Sequence, residues 1–208
     1  MRHPKTMTAV AILSLFSVGI AGCSSPGNNG AEEAQTSLAS QAATEAPSAT
    51  PTIPPADVLY PHPKPEMPAE AHEHSVLGAQ AFSVYVLEMF GYTGATQDIE
   101  AFASLCMDDS VSCNGFLDHM KATKKEGSYY EGYELRVVSV NGSLYGGIRP
   151  EVEYGTQLAA FVPGHVFHDG ATGEIVRYED SDIIGAVEVV WSDGWKVAEL
   201  QMEGADDD

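Results

Sequence analysis

Basic residues are scarce. Lys and Arg number 10 against 30 Asp and Glu, giving a formal charge of −20 over 208 residues. No acid precedes Cys23, so the whole acidic excess falls after it. Such a surface repels nucleic acid, anionic lipid and anionic wall polymers, and leaves cations, basic proteins and neutral ligands as partners. Its plainest role is to keep an exported domain soluble and off its own membrane. Cysteine is almost absent, with only Cys23, Cys106 and Cys113. No C-x-x-C spacing occurs and no second ligand pair lies near these cysteines, which argues against structural zinc and dithiol redox chemistry. Also missing are G-x-S-x-G, a phosphate loop and H-E-x-x-H. No catalytic residue set and no cofactor follows from the motifs.

What is present begins at the N-terminus. Arg2 and Lys5 precede the uncharged run Thr6 to Gly22, which ends in Ile20-Ala21-Gly22-Cys23. The run is diluted by Ala, Gly, Ser and Thr and falls short of the roughly 20 strongly apolar residues a membrane span needs. A positive start, a short apolar core and small residues before one cysteine are the pattern of a bacterial lipoprotein signal. Residues 1–22 are therefore expected to be cleaved. The Cys23 thiol would carry diacylglycerol, with palmitate-type chains holding the protein on the extracytoplasmic face of the cell membrane. Each buried methylene contributes about 0.8 kcal/mol, so two chains anchor stably where one does not. With Cys23 acylated, Cys106 and Cys113 are an even pair outside the cytoplasm, and the simplest expectation is a disulfide between them.

Residues 23–74 read as a tether. Nine of the twelve prolines fall between Ser24 and His74, a density no helix or sheet tolerates. The first half is expected to be flexible coil and the second, with Pro61-His62-Pro63-Lys64-Pro65, stiffer and extended. Residues 75–203 have the length of one globular domain, and 204–208 form an acidic tail.

Within 75–203, helix signals come first. Phe82, Tyr85, Val86, Met89 and Phe90 predict a helix over Ala79 to Phe90, broken by Gly91-Tyr92-Thr93-Gly94. Thr96 is the expected cap of a second helix with Ile99, Phe102 and Leu105 inward. Asn114 is the expected cap of a third, which carries Phe116, Leu117 and Met120 inward and stops at Gly127. The period then changes to two. Strands are expected from Tyr133 to Ser139, over Val152 to Val162, on both sides of Gly170-Ala171-Thr172-Gly173, and on both sides of Ser192-Asp193-Gly194. Trp191 and Trp195 bracket that last loop. Helices followed by strands predict an α+β class, with N-terminal helices packed in a curved antiparallel sheet.

This order resembles the nuclear-transport-factor-two-like, or cystatin-like, cone. Pro68-Ala69-Glu70-Ala71, Gly78-Ala79-Gln80-Ala81-Phe82, the cysteine pair after Asp98-Ile99-Glu100, Glu131-Gly132-Tyr133 and Trp195-Lys196-Val197 resemble an actinobacterial lipoprotein family, domain of unknown function 6318. The wider separation of Cys106 and Cys113 departs from that pattern. The resemblance implies localisation and fold, and brings no activity and no catalytic residues.

Individual residues offer weak chemistry. His72-Glu73-His74 resembles a metal cluster but lies at the end of the expected tether. His165 and His168, three apart on a strand, face opposite sides and make poor co-ligands. Asp180-Ser181-Asp182 reads as a turn, and Tyr129-Tyr130-Glu131-Gly132-Tyr133 as packing or a binding ledge. His119 borders an apolar helix face and, in a cone, would look across a cavity toward Tyr85. Enzymes such as polyketide cyclases and ketosteroid isomerases use such a pairing for proton transfer. Two functions follow. The favoured one is a non-catalytic lipoprotein that binds an envelope protein, a wall component or a small apolar ligand. The alternative is an acid–base cavity enzyme.

Overall fold

The computed structural model of the chain describes residues 52–147 and 149–204. The signal residues, Cys23, the first half of the expected tether and residues 205–208 lie outside the described residues. Helix α1 (Ala56–Leu59) and a 3-10 turn (Ala69–His72) precede the long α2 (Val76–Thr96), the short α3 (Ile99–Ala103) and α4 (Val111–Glu126). Among the described residues seven strands follow: β1 (Tyr129–Glu131), β2 (Arg136–Tyr145), β3 (Tyr154–Val162), β4 (His165–His168), β5 (Ile175–Tyr178), β6 (Ser181–Trp191) and β7 (Trp195–Gly204).

Several boundaries differ from the sequence expectation. Helix α2 starts at Val76, where the Ser75 hydroxyl accepts the Gly78 N–H at 3.0 Å. It runs through Gly91 and Gly94 because other side chains occupy the space those glycines leave. Leu135 lies 3.0 Å from where a Gly91 Cβ would stand, and the Tyr133 ring lies 2.6 Å from that of Gly94. The helix ends at Gln97, whose backbone turns left-handed. Helix α4 begins one turn earlier than expected. Ser110, not Asn114, is its cap and accepts the Cys113 N–H at 3.4 Å.

The Pro-rich segment also differs. From residue 52 onward the chain lies on the domain and is not a free tether. Leu59 and Ala71 are buried, Tyr60 meets Tyr92 edge-on at 5.3 Å, and Lys64 pairs with Asp98 at 2.8 Å.

The expected nuclear-transport-factor-two-like, cystatin-like cone is corrected. Among the described residues the strands form two antiparallel sheets, not one curved sheet enclosing helices. One sheet has four strands in the order β2-β3-β6-β7, and the other has three in the order β1-β4-β5. The division falls at Pro163-Gly164. Proline has no N–H to extend the ladder beyond Val162. The Gly164 N–H leaves the ladder for the Asp180 carboxylate, at 2.7 Å. The chain thus re-enters as the separate β4–β5 hairpin, where His165 pairs with Tyr178 and His168 with Ile175.

The core gathers Phe82, Val86 and Met89 of α2, Phe102 of α3 and Leu117 of α4 with Leu158, Val187, Val189 and Val197 of the larger sheet. Cys106 and Cys113 are buried and bonded, with Cα atoms 6.2 Å apart. The bond staples the residues after α3 to the first turn of α4. Strand β2 is an edge of the larger sheet. Its register against β3 slips twice, between Val137 and Ser139 and between Val140 and Gly142. No helix among the described residues is long and apolar enough to cross a membrane.

Candidate functional site

The gap between the two sheets and helices α2 and α4 leaves an open cleft of about 430 Å³. Its inner wall is apolar. Phe90 of α2 and Phe116 of α4 stack at 3.9 Å between ring centroids, and Met120, Val162 and Ile183 continue the wall. Periodicity places Phe116 and Met120 there, since positions four apart share a helix face. The bare Cα of Gly94 lets Tyr133 approach α2 and shapes one side.

The outer wall is aromatic and polar. Tyr130 on β1 and Tyr133 just after it lie 5.5 Å apart between ring centroids. Tyr133 meets the His165 imidazole edge-on at 4.9 Å, and that imidazole stacks on Tyr178 at 4.8 Å with planes 16° apart. The β4–β5 register creates the last contact by placing His165 opposite Tyr178. His165 Nδ1 donates to the Pro163 carbonyl at 3.0 Å, which fixes the ring's orientation. Glu179 and Ser181 complete the lip.

His119 lies on this cleft, with its Nε2 3.3 Å from the Tyr130 hydroxyl. Burial first, and then the neighbouring Tyr130, push the Tyr133 hydroxyl up to about 12. Burial likewise raises Tyr130, with Tyr178 adding to the shift. Both phenols therefore stay protonated near neutrality and serve as hydrogen-bond donors and π surfaces. Tyr85 does not line the cleft. It is half-buried on α2, where burial raises its hydroxyl, Lys64 opposes that shift and Glu88 adds to it. The expected Tyr85–His119 partnership across a cavity is therefore not formed, and His119 meets Tyr130 instead.

The remaining candidates are dispersed. His74 pairs with Glu153 at 2.6 Å. His168 faces away from His165, stacks on Tyr129 at 4.4 Å and pairs with Glu131 at 2.8 Å. Asp180 holds the Gly164 N–H in a turn. Among the described residues, no three His, Cys, Asp or Glu side chains converge as a metal site. The cleft residues His165, Tyr178 and Glu179 were not singled out together by sequence. The available signal was weak: an aromatic at each end of a short hairpin.

The chain is similar to the crystal structure of the intermembrane-space region of the chloroplast protein ARC6, with a TM-score of 0.46 and 16% identity. That likeness covers 64% of this chain and 99% of the other. No curated protein matches the chain. The family of unknown function DUF6318 matches residues 46–198, which take in the whole cleft, and the chain belongs to that family.

Proposed function

We propose that this chain is a non-catalytic cell-envelope lipoprotein whose head binds a small, largely apolar ligand in the cleft between the sheets. The observation that supports the binding reading is the open cleft itself, with its Phe90–Phe116 wall and the phenols of Tyr130 and Tyr133, which burial raises. Wall residues of this kind bury a ligand's apolar body, while a few polar tips fix its orientation. The anchoring reading rests on the Ile20-Ala21-Gly22-Cys23 sequence, which would fix the protein to the outer membrane face through a lipid on Cys23.

The acid–base alternative has one contact in its favour, His119 with Tyr130. Burial raises the Tyr130 phenol, so in that reading it serves as a hydrogen-bond donor and the base would be His119.

Gly94→Leu tests the cleft. The new side chain drives the Tyr133 ring into the space, and titration with an environment-sensitive apolar dye should show binding weakened at least about tenfold. Unchanged dye binding would remove the cleft from the proposal. Labelled palmitate tests the anchor. Incorporation should occur in the natural chain and vanish in Cys23→Ser, and an unlabelled natural chain would overturn the anchor.

A further inference from the structure

Resting on that reading, we infer that the ligand of the cleft is an organic cation: an apolar body that carries a positively charged, alkylated nitrogen at the lip. Two features converge on this class.

The lip gathers aromatic rings where a head group would sit. Tyr178 and His165 are stacked on one another, and Tyr133 and Tyr130 follow within 6.0 Å of His165. The negative face of an aromatic ring attracts a cation within about 6 Å of its centroid, and an alkylated ammonium suits such a surface because it sheds water readily. The charge pattern agrees. Among the described residues Glu179 is the carboxylate of the lining, it stands with the imidazoles of His119 and His165, and neither Lys nor Arg lines the cleft. The chain as a whole carries a charge of −20, so its field concentrates cations and turns anions away. Tyr130 and Tyr133, raised by burial, are neutral rings of the same lining. Discrimination between head groups then falls to Glu179 and the rings.

The inner wall selects the rest of the molecule. Phe90, Phe116, Met120 and Ile183 offer no charged group, so the ligand's body enters as hydrocarbon or an aromatic ring, with the nitrogen outward.

The test uses three amphiphiles with one tail and different heads: decyltrimethylammonium, decyl maltoside and decyl sulfate. Each is titrated by calorimetry below its micelle concentration, at about pH 8, above the ordinary imidazole range. The ammonium should bind about tenfold more tightly than the neutral sugar, and the sulfate most weakly. Glu179→Gln should reduce the ammonium preference severalfold and leave the sugar unchanged. Tyr178→Leu should also weaken the ammonium. Glu174→Gln, one charge removed outside the cleft, should alter nothing beyond a small general effect. Equal binding of ammonium and sugar, or a Glu179→Gln effect no larger than that of Glu174→Gln, would overturn the cation assignment and leave the binding cleft standing. Failure of all three amphiphiles to bind would overturn the cleft with it.

Discussion

The imidazole of His74 lies flat on the indole of Trp191, with ring centroids 4.6 Å apart and planes 10° from parallel. Glu153 holds the same imidazole at 2.6 Å, and Trp195 meets it edge-on at 5.3 Å. The Trp195 indole N–H donates to the Glu73 carbonyl at 2.9 Å. The chain before α2 is thus clamped onto the β6–β7 hairpin at a point where composition alone suggests a loose leash. Removing the ring in His74→Ala should release this segment. The stack and the half-exposed hydrogen bond to Glu153 together contribute about 1 kcal/mol, so the melting temperature should drop by a few degrees. Tryptophan emission should shift red in the folded state. Unaltered emission would mean that His74 is not seated on Trp191.

Acid should loosen the contact between β7 and α4. The Glu199 carboxylate accepts the Val111 N–H at 3.3 Å, the Ser112 N–H at 3.2 Å and the Ser112 hydroxyl at 2.7 Å. Burial pushes this acid upward, but those donors outweigh it and hold it below its ordinary value of 4.5. A depressed carboxylate stabilises the fold above its unfolded value, and that contribution disappears as pH falls through the lower, folded value. Glu153, also depressed, acts in the same direction. Urea unfolding should therefore show stability falling as pH drops below 4.5. Glu199→Gln should cost about 1 kcal/mol at neutral pH and flatten the acid slope. An unchanged slope in the variant would show that Glu199 does not carry the effect.

Mass spectrometry of the natural protein under denaturing alkylation should find Cys106 and Cys113 unmodified until a reductant is added. The short loop between them makes the bond worth about 2–3 kcal/mol. Cys106→Ser with Cys113→Ser should lower stability by that order, and α4 should lose its anchorage to α3 first. Equal stability of the double variant in calorimetry would show that the staple is dispensable.

Local signals proved legible and non-local ones did not. Ser192-Asp193-Gly194 between β-formers marks the β6–β7 hairpin, and Trp191 does pair with Trp195 across it, with rings 5.0 Å apart. The cysteine pairing followed from arithmetic on three residues. Helix boundaries failed where tertiary packing decides. Gly91 and Gly94 look like breakers until Leu135 and Tyr133 fill the space beside them. The single curved sheet failed at Pro163-Gly164, two residues whose consequence depends on Asp180, distant in sequence. His119 could be placed on an apolar border from helical spacing. Its partner Tyr130 could not, because β1 is short and is brought to α4 by tertiary packing and by pairing with β4, which lies more than thirty residues on. Leu59 and Ala71 are small apolar interruptions in a proline-rich stretch, and nothing local distinguishes them from linker residues.

The two slips of register along β2 matter beyond that strand. Val138 and Val140 stand exposed on the open side of the four-stranded sheet, and a straight strand there would invite another chain to add itself. A kinked border offers its amides at uneven intervals, so a neighbouring polypeptide cannot zip along it for more than a few residues. Copies packed shoulder to shoulder should therefore not grow into fibrils through this border.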